Sequence, residues 1–177
     1  MKKLLHSDLA EIRLSETDAA SETGRFPVTA ILENIRSMYN VGSIFRTSDG
    51  ARIEAIYTVG YTPHPPRKEI EKTALDATRT VPTKHFASVT EAIEACSSRG
   101  MKIAALEVAT NSKSVFDIVA TDFPMALVVG NEITGVSEEA MSRCDFSIEI
   151  PMFGAKHSLN VAVAYGIAIF ECRRVSR

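Results

Sequence analysis

From Val28 onward the apolar positions follow two alternating patterns. Val28 to Leu32, Ala55 to Val59, Lys102 to Val108, Met125 to Val129 and Phe146 to Ile150 are short, largely uninterrupted apolar runs rich in β-branched residues, which predicts buried strands. Between them, Val41 to Arg52, Val136 to Cys144 and Leu159 to Arg174 carry helical spacing. A further helix is predicted to open at Ser88-Val89-Thr90-Glu91, which has the form of a capping box, and to end at Gly100. Strands that are apolar throughout and separated by helices indicate an α/β fold with a parallel sheet covered on both faces. The Pro-rich segment Thr62-Pro63-His64-Pro65-Pro66 reads as a loop, followed by a basic, polar stretch through Arg79. Residues 1–25 are polar with mixed charge and read as an arm or a short amphipathic helix carrying Leu4, Leu5 and Leu9. The globular domain is expected over 26–177, with no internal repeat.

Composition narrows this picture only modestly. The chain has 177 residues, 45% hydrophobic and 24% charged, with a formal net charge of -2, an ordinary globular balance. No overall basic excess announces nucleic acid, so any such partner must meet a local patch. Met1 to Ala10 lacks the apolar run of a secretory signal. The longest apolar stretch, Leu159 to Phe170, falls short of the roughly 20 residues a bilayer span needs and reads as a buried helix. Cys96, Cys144 and Cys172 are odd in number and widely spaced, which argues against a disulfide framework or a zinc site and for buried thiols in a cytoplasmic protein. The four histidines share no metal-ligand spacing, so no metal is expected.

Three segments carry candidate chemistry. In Asn34 to Asp49, which follows a predicted strand, Asn40 and Arg46 are six residues apart on one helix if Asn40 caps it. A guanidinium inside an otherwise apolar helix suits a phosphate, although Asn40 could be only a cap and Arg46 could pair with Asp49. In the second segment a strand runs into Gly130-Asn131-Glu132-Ile133-Thr134-Gly135. This either brings backbone close to a ligand, with Glu132 facing a pocket, or is a tight turn with a solvated carboxylate. In the third, a strand ends at Ile150-Pro151-Met152, a loop containing Gly154 follows, and Ser158 and Asn160 open an apolar helix. Ser158 is a natural N-cap, whereas an unpaired Asn160 amide in the first turn would be costly. Neither glycine segment has the spacing of a dinucleotide fingerprint or a P-loop.

Taken together and in this order, the segments resemble the three motifs of the SpoU family within the SPOUT class of methyltransferases. The first motif is matched by Asn40, Gly42 and Arg46-Thr47; the second by Gly130, Asn131, Glu132 and Gly135; the third by Ile150-Pro151-Met152, Gly154 and Ser158-Leu159-Asn160-Val161. Lys72-Thr73-Ala74-Leu75 looks like the segment between the first two motifs, and the likeness spans about Val28 to Glu171. Ala162 stands where many members have serine, and Asp76 where many have glycine.

The resemblance implies an α/β-knot fold with a C-terminal deep trefoil knot, one of the rare exceptions to unknotted topology. It implies S-adenosylmethionine as cofactor, held by Leu106, Gly130, Ile150, Met152 and Leu159. It also implies methylation of a ribose 2'-hydroxyl in tRNA or rRNA, with Arg46, Asn40, Glu132, Ser158 and Asn160 around the acceptor. Homodimerisation through the C-terminal helix is implied too, and the small apolar face of Val161, Ala164, Ile167 and Ala168 is compatible with it. An RNA-facing patch is expected from among Arg36, Arg52, Arg67, Lys68, Lys72, Arg79 and Lys84. Two other readings compete: a non-catalytic RNA-binding protein that retains the fold, and a nicotinamide or flavin oxidoreductase, which the absent Gly-rich turn disfavours.

Overall fold

The computed structural model describes residues 1, 3–5, 8, 13–21 and 23–175. Leu9, one of the residues invoked for an N-terminal amphipathic helix, lies outside the described residues; within them a short helix α1 covers Glu16–Ala20.

Seven strands form one sheet: β1 Phe26–Glu33, β2 Ile53–Val59, β3 Thr83–Phe86, β4 Lys102–Leu106, β5 Lys113–Ser114, β6 Met125–Val129 and β7 Phe146–Glu149. Their spatial order is β3-β2-β1-β6-β4-β7-β5, and every neighbouring pair is parallel. Alternation along the central strands divides the core in two. Phe26, Val28, Ala30 and Leu32 of β1, with Met125, Leu127 and Val129 of β6, face one layer. Ile31, Ala126 and Val128 face the other. Both faces being apolar is why these strands show no alternation of polar and apolar residues in the sequence.

The first layer is covered by α2 (Met38–Ala51), α3 (Lys68–Ala74), α4 (Ala77–Thr80) and the closing helix α7 (Val161–Val175). The second is covered by α5 (Val89–Ser97) and α6 (Glu138–Met141), through Val89, Ala92, Ile93, Cys96 and Ala140. Gly42 lets α3 seat directly on α2, since a Cβ there would lie 2.1 Å from Thr73 Oγ1 and 2.3 Å from the Ile70 carbonyl. Ser48 and Tyr165 share a buried hydroxyl contact of 2.6 Å between α2 and α7.

Strand β7 lies between β4 and β5, which are consecutive in the chain. The connection 107–112 therefore bridges the carboxyl end of β7, and the chain leaving β7 must pass it before α7 docks on α2. The threading implied by the family resemblance requires such an arrangement, with a later strand lying between two earlier ones.

Several elements differ from expectation. The predicted helix over Val136 to Cys144 is only Glu138–Met141, and β3, β5, α3 and α4 were not anticipated. β5 has two residues and β3 is three-quarters exposed, so neither carries an apolar signal. Ser88 accepts from the Glu91 N–H at 3.2 Å, forming one half of the expected capping box. Helix α7 is not wholly buried: Tyr165, Ala168, Ile169 and Cys172 face the core, while Val163, Ile167 and Phe170 form an exposed apolar stripe at helical spacing. Ala168, expected on an outward face, is thus a core residue. Asp76 adopts φ +67°, directly after Leu75 at φ +49°. That left-handed conformation favours glycine, which accounts physically for the residue many family members carry there.

A candidate active site at the carboxyl edge of the sheet

Parallel α/β sheets place ligands beyond the carboxyl ends of their strands. Here a cavity of about 490 Å3 opens beyond β4, β6 and β7. Its wall brings together residues from three distant segments: Leu106; Gly130 and Glu132; and Ile150, Met152, Ser158, Leu159 and Asn160. The volume falls within the range of small-molecule sites, and the floor of Val129, Ile148, Ile150 and Leu106 is apolar.

The turn after β6 is rigidly built. Asn131 and Gly135 exchange backbone hydrogen bonds of 3.0 and 2.9 Å. A Cβ on Gly130 would sit 2.2 Å from both the Gly135 carbonyl carbon and the Val136 nitrogen, so no side chain fits. The Asn131 side chain closes the turn from within, its Oδ1 accepting from Ile133 and Thr134 N–H at 2.8 and 3.1 Å. Its Nδ2 donates to the Asn34 carbonyl at 2.8 Å and to the Tyr61 hydroxyl at 2.9 Å. Two acids at strand ends complete the frame. Glu107 Oε2 accepts from Val136 N–H at 3.1 Å, and Glu33 Oε2 accepts from Ser137 N–H at 3.0 Å. Sequence reasoning passed over Glu33 and Glu107, and placed Asn131 in the second motif without giving its side chain a role. A charged residue closing an otherwise apolar strand was the available signal for the two acids.

The rim of the cavity carries a hydrogen-bonded chain. Glu132 accepts from Arg36 N–H at 2.9 Å, Ser37 N–H at 3.1 Å and Asn40 Nδ2 at 2.9 Å. Asn40 Oδ1 accepts from Asn160 Nδ2 at 3.2 Å. Asn160 Oδ1 in turn accepts from Ala162 and Val163 N–H at 2.9 and 3.4 Å, at the start of α7. Partial burial pushes the Glu132 carboxyl upward. The donors from Arg36, Asn40, its own N–H and Ser37 outweigh that and hold it below the usual glutamate range.

Three expectations need correcting. Asn40 does not cap α2: Ser37 does, accepting from Asn40 N–H at 3.3 Å, which leaves the Asn40 amide free for Glu132 and Asn160. Asn160, not Ser158, caps α7, because the helix starts at Val161 rather than near Leu159. Ser158 is exposed and makes no hydrogen bond among the described residues. Arg46 is not inside a buried environment but on the exposed face of α2, about 9 Å along the axis from Asn40 at 1.5 Å per residue. Its guanidinium has no partner among the described residues, and it is not part of the cavity wall. It does not pair with Asp49, whose Oδ1 is taken by Thr80 at 2.5 Å.

The basic residues also separate. Arg52 is half-buried, caps the carboxyl end of α2 at φ +53° and donates to the carbonyls of Asp18 and Thr23, far from the cavity edge. Arg79 pairs with Asp76 at 3.5 Å. Arg36, Arg67, Lys68, Lys72 and Lys84 are exposed.

Known proteins resemble this chain in sequence and fold. The family model described as the SpoU rRNA Methylase family matches residues 27–170. A putative TrmH family tRNA/rRNA methyltransferase of Staphylococcus haemolyticus is 31% identical over 144 residues, covering 81% of this chain and 57% of that protein. The tRNA (guanosine(18)-2'-O)-methyltransferase of Escherichia coli is 29% identical over 147 residues, covering 83% of this chain and 63% of that protein. The chain thus spans less than two thirds of the length of these relatives. Among solved structures, the TrmH/SpoU tRNA modifying enzyme of A. aeolicus superposes with a TM-score of 0.77 at 28% identity, over 88% of this chain and 78% of that one. The AdoMet-bound rRNA methyltransferase of Sinorhizobium meliloti does so with a TM-score of 0.78 at 29% identity, over 92% and 61%.

Proposed function

The chain belongs to the SpoU methylase family, and from that premise we propose that it methylates a ribose 2'-hydroxyl of tRNA or rRNA with S-adenosylmethionine as donor. The observation that carries this reading is the convergence of Leu106, Gly130, Ile150, Met152 and Leu159 in one cavity whose rim is the Glu132–Asn40–Asn160 chain.

The residues fit the cofactor. The apolar floor suits an adenine, and the backbone of the Gly130–Gly135 turn lies at the wall for polar contacts. When bound, the cofactor supplies an electrophilic methyl on a sulfonium whose positive charge is lost on transfer. A poorly solvating apolar wall favours that loss of charge.

The chain's own residues then orient the acceptor. Glu132 stays ionised but is saturated by N–H donors, so it fixes Asn40 rather than acting as a strong base. Asn40 and Asn160 hold each other's amides in one orientation at the cavity rim. The unpaired guanidinium of Arg46 suits an RNA phosphate, and its fork can orient the hydroxyl and stabilise developing alkoxide charge. An arginine does not give up its proton in proteins, so the phosphate itself is the candidate acceptor for the 2'-hydroxyl proton. Ser158, on the loop between β7 and α7, lines the same cavity.

The proposed assembly is a homodimer. The exposed Val163, Ile167 and Phe170 stripe lies on α7, next to the face of α2 that carries Arg46: Phe170 approaches Gly50, and Gly166 approaches Thr47. A second copy covering this stripe would bury apolar surface and enclose Arg46 in a site built by both subunits. The test is incubation with labelled cofactor and bulk RNA, followed by nucleoside mass spectrometry. A 2'-O-methylated nucleoside is the expected product, and base methylation alone would overturn the reading.

A further inference from the structure

Tyr61 follows the carboxyl end of β2 and is 63% exposed, yet it is tethered at two points. Asn131 Nδ2 donates to its hydroxyl at 2.9 Å, and the Tyr61 N–H donates to Asn34 Oδ1 at 3.3 Å. Asn131 is only 7% exposed and belongs to the cavity wall, so the phenol is anchored to the rigid turn of the site. Because the hydroxyl accepts, its own proton remains available to a ligand. An exposed aromatic ring is thereby held in one orientation at the sheet edge that carries the cavity.

The same loop continues to His64, whose ring lies against that of His85 with centroids 4.4 Å apart. Arg67 and Lys68 come next, both exposed and without ion-pair partners among the described residues. Aromatic faces followed by unpaired cations match the chemistry of an unstacked RNA strand, since a ring takes a base and a cation takes a phosphate. A purely structural Tyr61, bracing Asn131, would explain the hydroxyl contact but not the open ring face.

Resting on the RNA-substrate reading above, we propose that Tyr61 is a stacking platform seating an unpaired nucleobase that neighbours the acceptor ribose, with Arg67 and Lys68 holding the adjoining phosphates. Tyr61 is a positioning residue in this scheme and takes no part in methyl transfer.

The chain contains no tryptophan, so Tyr61→Trp puts the sole indole at the platform. Titration of that variant with poly(A) or bulk transfer RNA, without cofactor, is expected to quench its emission. Phe116→Trp, on the exposed 3-10 turn after β5 at the far edge of the sheet, is expected to stay unresponsive. Tyr61→Ala is expected to raise the KM for RNA about tenfold while kcat and cofactor affinity hold; Tyr61→Phe, which keeps the ring and loses the hydroxyl tether, is expected to raise it by less. Replacing both Arg67 and Lys68 by Gln is expected to reduce the slope of log affinity against log salt by about 1.4. Silence of Tyr61→Trp under saturating RNA, or Tyr61→Phe as impaired as Tyr61→Ala, overturns the platform. If wild type methylates RNA while Tyr61→Trp stays silent, only the platform falls. If Tyr61→Trp is quenched but no methyl is transferred, the platform stands and the proposed activity falls.

Discussion

The two walls of the cavity are built in opposite ways. On one side, the turn from Gly130 to Val136 is held by its own backbone bridge, by the Asn131 amide, and by Glu107 and Glu33 reaching from the ends of two other strands. On the other, residues 152–159 are all exposed, Phe153 is 94% exposed, and Gly154 has nothing within 4 Å of where a Cβ would lie. The first wall is preorganised, so its geometry exists before any ligand arrives. The second makes few contacts of its own, so little of the rest of the chain constrains it.

Substitutions can break or sharpen that contrast. Gly130→Ala attacks the rigid wall where backbone meets backbone and should have the largest effect. A loss of roughly 3 kcal/mol is expected, seen as a fall in Tm of about 6–12 °C, together with loss of cofactor binding by calorimetry. Glu107→Ala leaves the Val136 N–H without its acceptor, for about 2 kcal/mol, and should weaken cofactor affinity without unfolding the protein.

Glu132→Gln tests the rim. Because hydrogen bonds hold the folded-state pKa below the ordinary value of 4.5, the ionised carboxylate contributes stability above that value and loses it as pH falls through the lower folded-state value. Wild type should therefore melt above the variant at pH 7, with the gap closing below about pH 4.5 and constant between pH 6 and 8. Asp76→Gly relieves a left-handed residue outside the site and should raise stability by about 0.5–1 kcal/mol, leaving cofactor affinity unchanged. Phe153→Ser, on the open wall, should change stability by less than about 0.5 kcal/mol. A large destabilisation by Phe153→Ser would show the two walls to be alike after all.

Much of the architecture was legible along the chain. The central strands β1, β2, β4, β6 and β7 are buried on both faces, so their apolar runs are long and unambiguous, and the predicted β6 coincides with Met125–Val129. Strands β3 and β5 lie at the sheet edges and carry Thr83, Lys84, Lys113 and Ser114, which have no apolar pattern to read. The candidate site was legible as three motifs, and the structure brings Leu106, Gly130, Glu132, Ile150, Met152, Ser158, Leu159 and Asn160 to one cavity. Its internal wiring was not. Whether Asn40 or Ser37 caps α2 depends on a helix boundary only two residues away, and either residue type caps well. Whether Arg46 is buried depends on its angular position relative to α7, which no local pattern encodes.

The sequence by itself determined the fold class, the order of the buried strands and of the longer helices, and the residue types available at three loops, because burial on both faces and helical spacing are local imprints of the sheet. Tertiary structure alone decided that β7 lies between β4 and β5, and that Glu132, Asn40 and Asn160 bond across separations of 92 and 120 residues. It also decided that Arg46 stays outside the cavity while Tyr61 is anchored to it. Hydrogen bonds between distant loops fix directions in space, and direction leaves no periodic trace in the order of residues.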